Sequence, residues 1–178
     1  MHTMNATDPQ AQFEQIVVPH LDAAYNLARW LAGNDHDAED IAQEACLRAF
    51  RFLGGFRGGN SRSWLLTIVR NTAFTWLKKN RPQAIVSVGE EVMLEIEDPA
   101  SALNQSATLH HADRDVLRAA LEQLPMEFRE VLILRELEGL SYKEISEVAD
   151  APIGTVMSRL ARARKQLQDY ISRKETSP

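Results

Sequence analysis

Hydroxyl and basic side chains near the C-terminus of this 178-residue chain recur at helical spacing, and such groups could bind nucleic acid. Apolar residues recur every three or four positions from Val156 to Leu167, which indicates an amphipathic helix. Hydroxyl and guanidinium groups on the other face of that helix can donate hydrogen bonds to phosphates and to base edges. The polar side chains concerned are Thr155, Ser158, Arg159, Arg162 and Lys165.

A short helix and a tight turn precede this helix, and together they have the layout of a helix-turn-helix. Ser141 and Glu144 have the spacing of a capping box, which predicts where the first helix begins. Asp150-Ala151-Pro152 ends that helix, and Pro152 suits the first turn of the next one. In a helix-turn-helix the second helix enters the major groove, so this stretch points to duplex DNA.

A glycine-rich segment at 54–60 and the helix after it carry a second set of basic and amide groups. Four glycines within residues 54–59 predict a loop. Asn60 and Ser61 could contact an extruded base or its backbone, although a flexible connection between helices explains the same pattern. The spacing of Trp64 and Trp76 favours core burial over base stacking. The other polar side chains here are Arg57, Arg62, Arg70, Asn71, Lys78 and Lys79.

The charge distribution separates two basic blocks from two acidic clusters. The net charge is −5, which argues against a uniformly basic DNA-coating protein. Residues 45–89 nevertheless contain eight Arg or Lys and no Asp or Glu, and residues 153–174 contain six basic residues and one acid. The acids gather at 35–44 and at 90–98. This division suggests two nucleic-acid contacts on one chain, with solvated helix faces of mixed sign as the alternative.

Catalysis, metal binding and membrane insertion find no support in the sequence. The histidines show no ligand spacing and Cys46 is the single cysteine, so we expect no metal site, no cofactor and no disulfide. Local motifs for a nucleophile with its base, or for paired carboxylates, are lacking, so we expect no enzyme. The absence of a long apolar run and of a signal peptide predicts a cytoplasmic protein without a membrane span.

Helical periodicity runs through nearly the whole chain, which predicts an all-α fold of two small helical domains joined by a linker. The domains are expected at 10–82 and 111–174, with an acidic linker at 83–110 whose apolar residues suggest that part of it docks. One helix is expected over 13–31 and a second over about 37–53. The expected N-caps are Asp35 or Asp37 for the second helix and Ser61 or Ser63 for the third.

The second predicted helix carries an ordered polar stripe beside exposed apolar positions. A long amphipathic helix with such a charge pattern can bind a partner helix. An ordinary surface helix is the simpler explanation of the pattern when it is considered by itself. The stripe and its apolar neighbours are Asp40, Ile41, Gln43, Glu44, Leu47 and Arg48.

Taken together, three segments resemble the extracytoplasmic-function (group IV) sigma factors of the sigma-70 family. They read DAEDIAQEACLRAFRFL at 37–53, FRGGNSRSWLLTIVRNTAFTWLKK at 56–79 and LEQLPMEFREVLILRELEGLSYKEISEVADAPIGTVMSRLARARKQL at 121–167. Their order and spacing make the resemblance specific from about Phe13 to Ile171. It implies a sigma-2-like and a sigma-4-like domain in a protein that directs bacterial RNA polymerase to promoters and does not catalyse a reaction.

The resemblance implies a role for each candidate surface. The polar stripe would bind the polymerase core through Asp40, Ile41, Gln43, Glu44, Leu47 and Arg48. The loop and third helix would capture a flipped base and hold the melted non-template strand of the −10 element through Arg57, Asn60, Ser61, Arg62, Arg70 and Asn71. The last helix would read the −35 duplex through Thr155, Ser158, Arg159 and Arg162, while Lys143, Arg164 and Lys165 would hold phosphates. An anti-sigma factor is the further partner implied.

Two positions depart from the family pattern. Asp150 stands in the turn where glycine is common, and aspartate tolerates the left-handed conformation better than most residues. Thr75 stands where aspartate is frequent, which leaves one family contact unassigned.

Two other classes of function fit parts of the sequence. A sigma-mimic adaptor would bind an anti-sigma factor but no promoter, and the Arg70-Asn71 pair and the arginines of the last helix disfavour it. A stand-alone helix-turn-helix regulator would bind duplex DNA tightly without polymerase.

Overall fold

The computed structural model describes residues 8–84 and 114–177, and every regular element in these two stretches is helical. The all-α prediction is therefore confirmed. Most of the predicted linker, 83–110, lies outside the described residues. The first stretch contains α1 (Pro9–Ile16), α2 (Leu21–Ala32), α3 (Asp35–Phe52) and α4 (Ser61–Asn80), with 3-10 turns at Val18–His20, Leu53–Gly55 and Pro82–Ala84. The second contains α5 (Arg114–Gln123), α6 (Met126–Leu132), a π-helical turn (Ile133–Leu137), α7 (Tyr142–Ala149) and α8 (Ile153–Glu175).

The single helix predicted over 13–31 is wrong, because Pro19 interrupts it. A 3-10 turn spans Val18–His20, and α2 begins directly after it at Leu21. Proline has no amide hydrogen, and its ring clashes with a carbonyl of the preceding turn, so a helix does not continue through it easily. α2 ends at Gly33, which has the left-handed φ of 80° that favours glycine at a helix end.

Asparagines, rather than the predicted aspartates and serines, cap α3 and α4. The Asn34 Oδ1 accepts a hydrogen bond from the amide of Asp37 at 2.8 Å, and the Asn60 Oδ1 accepts one from the amide of Ser63 at 3.1 Å. Asparagine is among the best N-cap residues because its short side chain reaches the free amides of the first turn. Each cap precedes the first of the two candidates proposed from the sequence by one residue.

One continuous apolar core joins the two stretches. In the N-terminal domain α2, α3 and α4 pack together around residues such as Ile41 and Leu65. In the C-terminal domain α6, α7 and α8 pack around residues such as Ile145 and Leu160. Across the boundary α4 packs against α7, and α2 packs against α6. We call this packing of the two domains the closed arrangement.

Two arginines of the C-terminal domain cap the end of α2. Arg129 donates a hydrogen bond to the carbonyl of Leu31 at 3.1 Å, and Arg118 donates one to the carbonyl of Gly33. The last carbonyls of a helix lack partners within it and carry partial negative charge, so arginine suits this position. Arg129 is buried and also donates to two carbonyls around the end of α5. These bonds tie the domains together by backbone groups as well as by the core.

Candidate nucleic-acid interface

The polar stripe predicted on α3 is present, but one of its residues points into the core. The Arg48 Nε donates to the Glu44 carboxylate at 2.9 Å, and Leu47 beside them is 55% exposed. Ile41 is 0% exposed. At 3.6 residues per turn, positions 41 and 47 lie about 120° apart around the helix, which separates the two apolar residues onto different faces. Ile41 was therefore wrongly predicted as a contact for polymerase; it is a core residue.

The remaining members of the stripe border the exposed face. Gln43 is exposed, and Asp40 is half-buried with its carboxylate 3.8 Å from the His36 imidazole. The face therefore presents an apolar side chain, Leu47, among polar and charged groups. Such a face can bury an apolar contact against a partner and surround it with polar contacts.

The glycine-rich loop between α3 and α4 is exposed and held at its base by aromatic residues. Gly58 and Gly59 have φ angles of 88° and 93°, a conformation that side chains rarely adopt. Arg57 is exposed beside them. The Phe56 ring lies 5.1 Å from the Trp64 ring, and Trp64 is half-buried against the core, as its spacing predicted. The loop thus presents an arginine on a backbone path that depends on glycine.

The amide and hydroxyl groups predicted to meet DNA at the start of α4 have partners within the protein. The Asn60 Nδ2 donates to the Glu144 carboxylate at 2.6 Å, in addition to the capping role of its oxygen. The Ser61 Oγ lies 2.9 Å from the His20 Nε2. Asn71 is exposed, and its side-chain oxygen accepts a hydrogen bond from Arg70 at 3.2 Å.

Two arginines of α4 form ion pairs with carboxylates of the C-terminal domain. The Arg70 guanidinium binds Glu130 at both oxygens, at 2.7 and 3.1 Å. Arg62 donates to the Glu138 carboxylate and to its backbone carbonyl, both at 2.7 Å. The side chain of Glu130 is 0% exposed and that of Glu138 is 7% exposed. The closed arrangement therefore places buried acids directly on two side chains that were predicted to hold DNA.

Glu130 is the most deeply buried carboxylate in this interface. Burial raises its pKa, because water no longer solvates the charge, and the hydrogen bond and charge of Arg70 oppose that rise. The charge of Arg159 on α8 also opposes it, while the charge of Glu127 adds to it. Glu130 therefore lies within electrostatic reach of arginines from both predicted DNA-binding helices.

The helix-turn-helix has the geometry that its sequence predicts. The Ser141 hydroxyl accepts a hydrogen bond from the Glu144 amide, and the Glu144 carboxylate accepts one from the Ser141 amide, which completes the capping box. These bonds, led by the one from the Ser141 amide, lower the pKa of Glu144. Asp150 ends α7 with φ 50° and ψ 53°, and it is the single positive-φ residue other than glycine among the described residues. The turn therefore keeps the left-handed conformation although it has aspartate instead of glycine.

Replacing Asp150 tests the need for that conformation. Asp150→Val is expected to lower the free energy of unfolding by about 1–2 kcal/mol, because a β-branched side chain fits the left-handed region poorly. Asp150→Gly and Asp150→Asn are expected to match or exceed the wild type, since both residues adopt that region readily. Urea denaturation of the three variants checks this. Equal stability of the Val and Gly variants would contradict it.

The predicted −35 face on α8 is partly present. Thr155, Ser158, Arg159 and Arg162 are half-buried, whereas Lys165 and, on α7, Lys143 are exposed. Arg164 differs from them: its side chain is 7% exposed and donates to the Glu136 carboxylate, at 2.5 Å from one nitrogen. A buried arginine held by a neighbouring acid supports the domain, so the structure contradicts a phosphate contact for Arg164.

Sequence reasoning missed the acids that meet the arginines of α4. Glu130 and Glu138 lie in the segment MEFREVLILRELEGL, whose apolar residues alone were used to predict a helix. A signal was available, since Glu130 stands among apolar residues on the side that must be buried. Charged residues are seldom fully buried unless they are paired. The identity of the partner, 60 residues earlier in the chain, could not be deduced from that signal.

Comparison with protein families decides the affiliation of the chain. The model of Sigma-70 region 2 matches residues 16–83, and that of Sigma-70, region 4 matches residues 114–167. The ECF RNA polymerase sigma factor SigE of Mycolicibacterium smegmatis is 37% identical over 175 residues, covering 95% of this chain and 66% of that protein. The ECF RNA polymerase sigma-E factor of Escherichia coli K12 is 34% identical over 141 residues, covering 76% and 74%. The chain belongs to the ECF RNA polymerase sigma factors.

Other matches agree with that family. The RNA polymerase sigma-H factor of Pseudomonas aeruginosa is 34% identical to this sigma factor over 169 residues, covering 87% of the chain and 83% of that protein. Among solved structures, the sigma factor RpoE in complex with the anti-sigma factor NepR from Bartonella quintana has a TM-score of 0.68 and 25% identity, covering 90% of this chain and 96% of that one. CnrH in complex with the cytosolic domain of CnrY shares the fold, with a TM-score of 0.64 at 23% identity over 94% and 91% of the two chains.

The family affiliation also bears on chemistry and on membranes. Sigma factors are not a class of enzymes. Within the two described stretches, none of the helices of this sigma factor is both long and apolar enough to cross a membrane.

Proposed function

We propose that this protein is an alternative sigma factor that binds core RNA polymerase in the cytoplasm and directs it to a specific class of promoters. Residues 10–82 bind the polymerase and the melted −10 strand, residues 111–174 read the −35 duplex, and residues 83–110 link them. The observation that carries the proposal is the presence of both sigma regions in one chain, with an exposed apolar face on α3 and a helix-turn-helix with basic side chains on α8.

The polymerase contact is assigned to the exposed face of α3. It comprises Asp40, Gln43, Glu44, Leu47 and Arg48, without the buried Ile41. Leu47 is the central apolar contact of this face, and the Glu44–Arg48 pair beside it orders the polar surroundings. An apolar anchor with a polar rim is the usual composition of a specific protein interface.

The DNA contacts are divided between the two domains. For the −10 strand we assign Arg57, Asn60, Ser61, Arg62, Arg70 and Asn71. For the −35 duplex we assign Thr155, Ser158, Arg159 and Arg162 to base reading and Lys143 and Lys165 to phosphates, leaving out Arg164. Splitting the phosphate contacts between two domains on a chain of net charge −5 favours weak DNA binding by the protein alone. Polymerase then supplies much of the electrostatic attraction.

Reconstituted transcription is the direct test of this function. Core polymerase with the protein should initiate from a defined set of promoters, and mapping of transcript starts after overexpression should show one −35 and one −10 sequence upstream of them. Tight duplex binding in a gel-shift assay without polymerase would favour a stand-alone regulator. Failure to initiate at any promoter, with binding to an anti-sigma factor retained, would favour a sigma-mimic adaptor.

Arg159→Ala tests the assignment of the −35 helix. If Arg159 binds a guanine through two hydrogen bonds, its loss should cost about 1–3 kcal/mol and relax selectivity at one base position. Lys165→Ala is the comparison, because a phosphate contact should weaken all promoters alike. Transcription rates on a set of −35 point variants measure both effects. A uniform loss for Arg159→Ala would identify Arg159 as a phosphate contact instead.

An anti-sigma factor is proposed as the regulatory partner. The match to RpoE in complex with NepR covers 90% of this chain, so both domains contribute to the likeness. Co-purification of a protein that blocks transcription in the reconstituted assay would identify the partner.

A further inference from the structure

The contacts between the domains involve the same arginines that the −10 strand needs. Arg70 and Arg62 each bind a carboxylate of the C-terminal domain at 2.7 Å, and the Asn60 amide binds a third at 2.6 Å. Guanidinium groups recognise carboxylates and phosphates by the same forked geometry. The acids of the C-terminal domain therefore occupy positions on α4 that a phosphate or base would occupy.

The acids concerned are placed so that they cannot stay paired once the domains separate. Glu130 is fully buried between α6 and its neighbours, and its two oxygens bind two nitrogens of Arg70. Arg62 binds Glu138 through both carboxylate and backbone, just after the π-helical turn. Separation of α4 from the C-terminal domain would break both pairs together and expose the arginines.

We propose that the closed arrangement is an autoinhibited state, in which Glu130 and Glu138 compete with the −10 strand for Arg70 and Arg62. This inference rests on the proposed function, since it assumes that these arginines bind promoter DNA. Promoter opening then requires that the domains separate first. The apparent affinity for DNA is lowered by the fraction of molecules that are closed, so weakening the closed state raises that affinity without any new contact to DNA.

Locking the closed state is the first test. Arg29 and Asp115 come from different domains, line one cleft at their boundary and belong to neither DNA-binding set. In a Cys46→Ser background, Arg29→Cys and Asp115→Cys would be joined across the cleft by a short bis-maleimide. The same protein capped with N-ethylmaleimide is the control. We expect the bridged protein to lose at least about tenfold of its promoter-dependent transcription with core polymerase, while the capped protein resembles the Cys46→Ser parent.

Weakening the closed state is the second test. The double variant Glu130→Gln/Glu138→Gln removes both charges and nearly preserves side-chain volume. Glu136→Gln is the matched control, because it breaks the Arg164 pair within the C-terminal domain and no contact to α4. We expect the free double variant to have a larger radius of gyration by small-angle X-ray scattering. It should also bind a promoter with a premelted −10 element, as polymerase holoenzyme, about threefold more tightly or better, as expected if most wild-type molecules are closed.

The outcomes separate the two proposals. Equal transcription by the bridged and capped proteins would overturn autoinhibition, and so would an open double variant whose DNA affinity equals that of the wild type. An unchanged radius of gyration in a folded double variant would show that these pairs do not hold the domains closed. If the double variant does not fold, the bridging experiment decides alone. Absence of promoter-dependent transcription from the wild type and the Cys46→Ser parent would instead contradict the proposed function.

Discussion

Leu47→Arg is expected to abolish binding to core polymerase while the protein stays folded. Leu47 is 55% exposed, so an arginine there points into solvent in the free protein and should leave its stability almost unchanged. In the complex the same arginine would carry an unpaired charge into the apolar centre of the interface. Losses at such central anchors reach about 3 kcal/mol, or roughly a hundredfold in Kd. Titration of fluorescently labelled protein with core polymerase measures the effect.

Two companion variants make this result specific. Leu47→Met preserves an apolar side chain of similar size and should bind nearly as well as the wild type. Val18→Arg places the same charge at another exposed apolar position, 45% exposed and outside α3, and should also bind normally. If Leu47→Arg bound polymerase like these controls, the α3 face would not be the polymerase contact.

Ile41→Arg is expected to unfold the N-terminal domain. Ile41 is 0% exposed in the core between α2, α3 and α4, and no acid is placed there to pair with a new charge. Burying an unpaired guanidinium and disrupting the packing should lower the free energy of unfolding by about 4 kcal/mol or more. Transcription would then be lost because the protein is unfolded, which circular dichroism and urea denaturation would show directly.

The conservative change at the same position sets the scale. Ile41→Val should cost only about 0.5–1.5 kcal/mol, the usual range for loss of one buried methylene, and should leave polymerase binding intact. A stable, folded Ile41→Arg variant that fails to bind polymerase would restore the sequence-based interpretation of Ile41 as a contact. The contrast between positions 41 and 47 therefore tests which face of α3 is buried.

Features that depend on neighbours in the chain could be predicted from the sequence. The capping box of Ser141 and Glu144, the left-handed Asp150 and the exposed loop with Gly58 and Gly59 all form as their spacing indicates. Each depends on hydrogen bonds or steric limits within a few residues, so local sequence determines it. The caps of α3 and α4 were misplaced by one residue, because Asp, Ser and Asn compete closely for the N-cap position.

Only the tertiary structure decided which residues of an element face the core and which charges meet. A stripe on α3 is compatible with several rotations of the helix, and packing against α2 and α4 determined that Ile41 is buried and Leu47 exposed. Likewise the sequence by itself determined a family with two DNA-binding helices, but not that Glu130 lies on Arg70. Residues 60 positions apart are brought together by the packing of whole domains, which the local sequence does not determine.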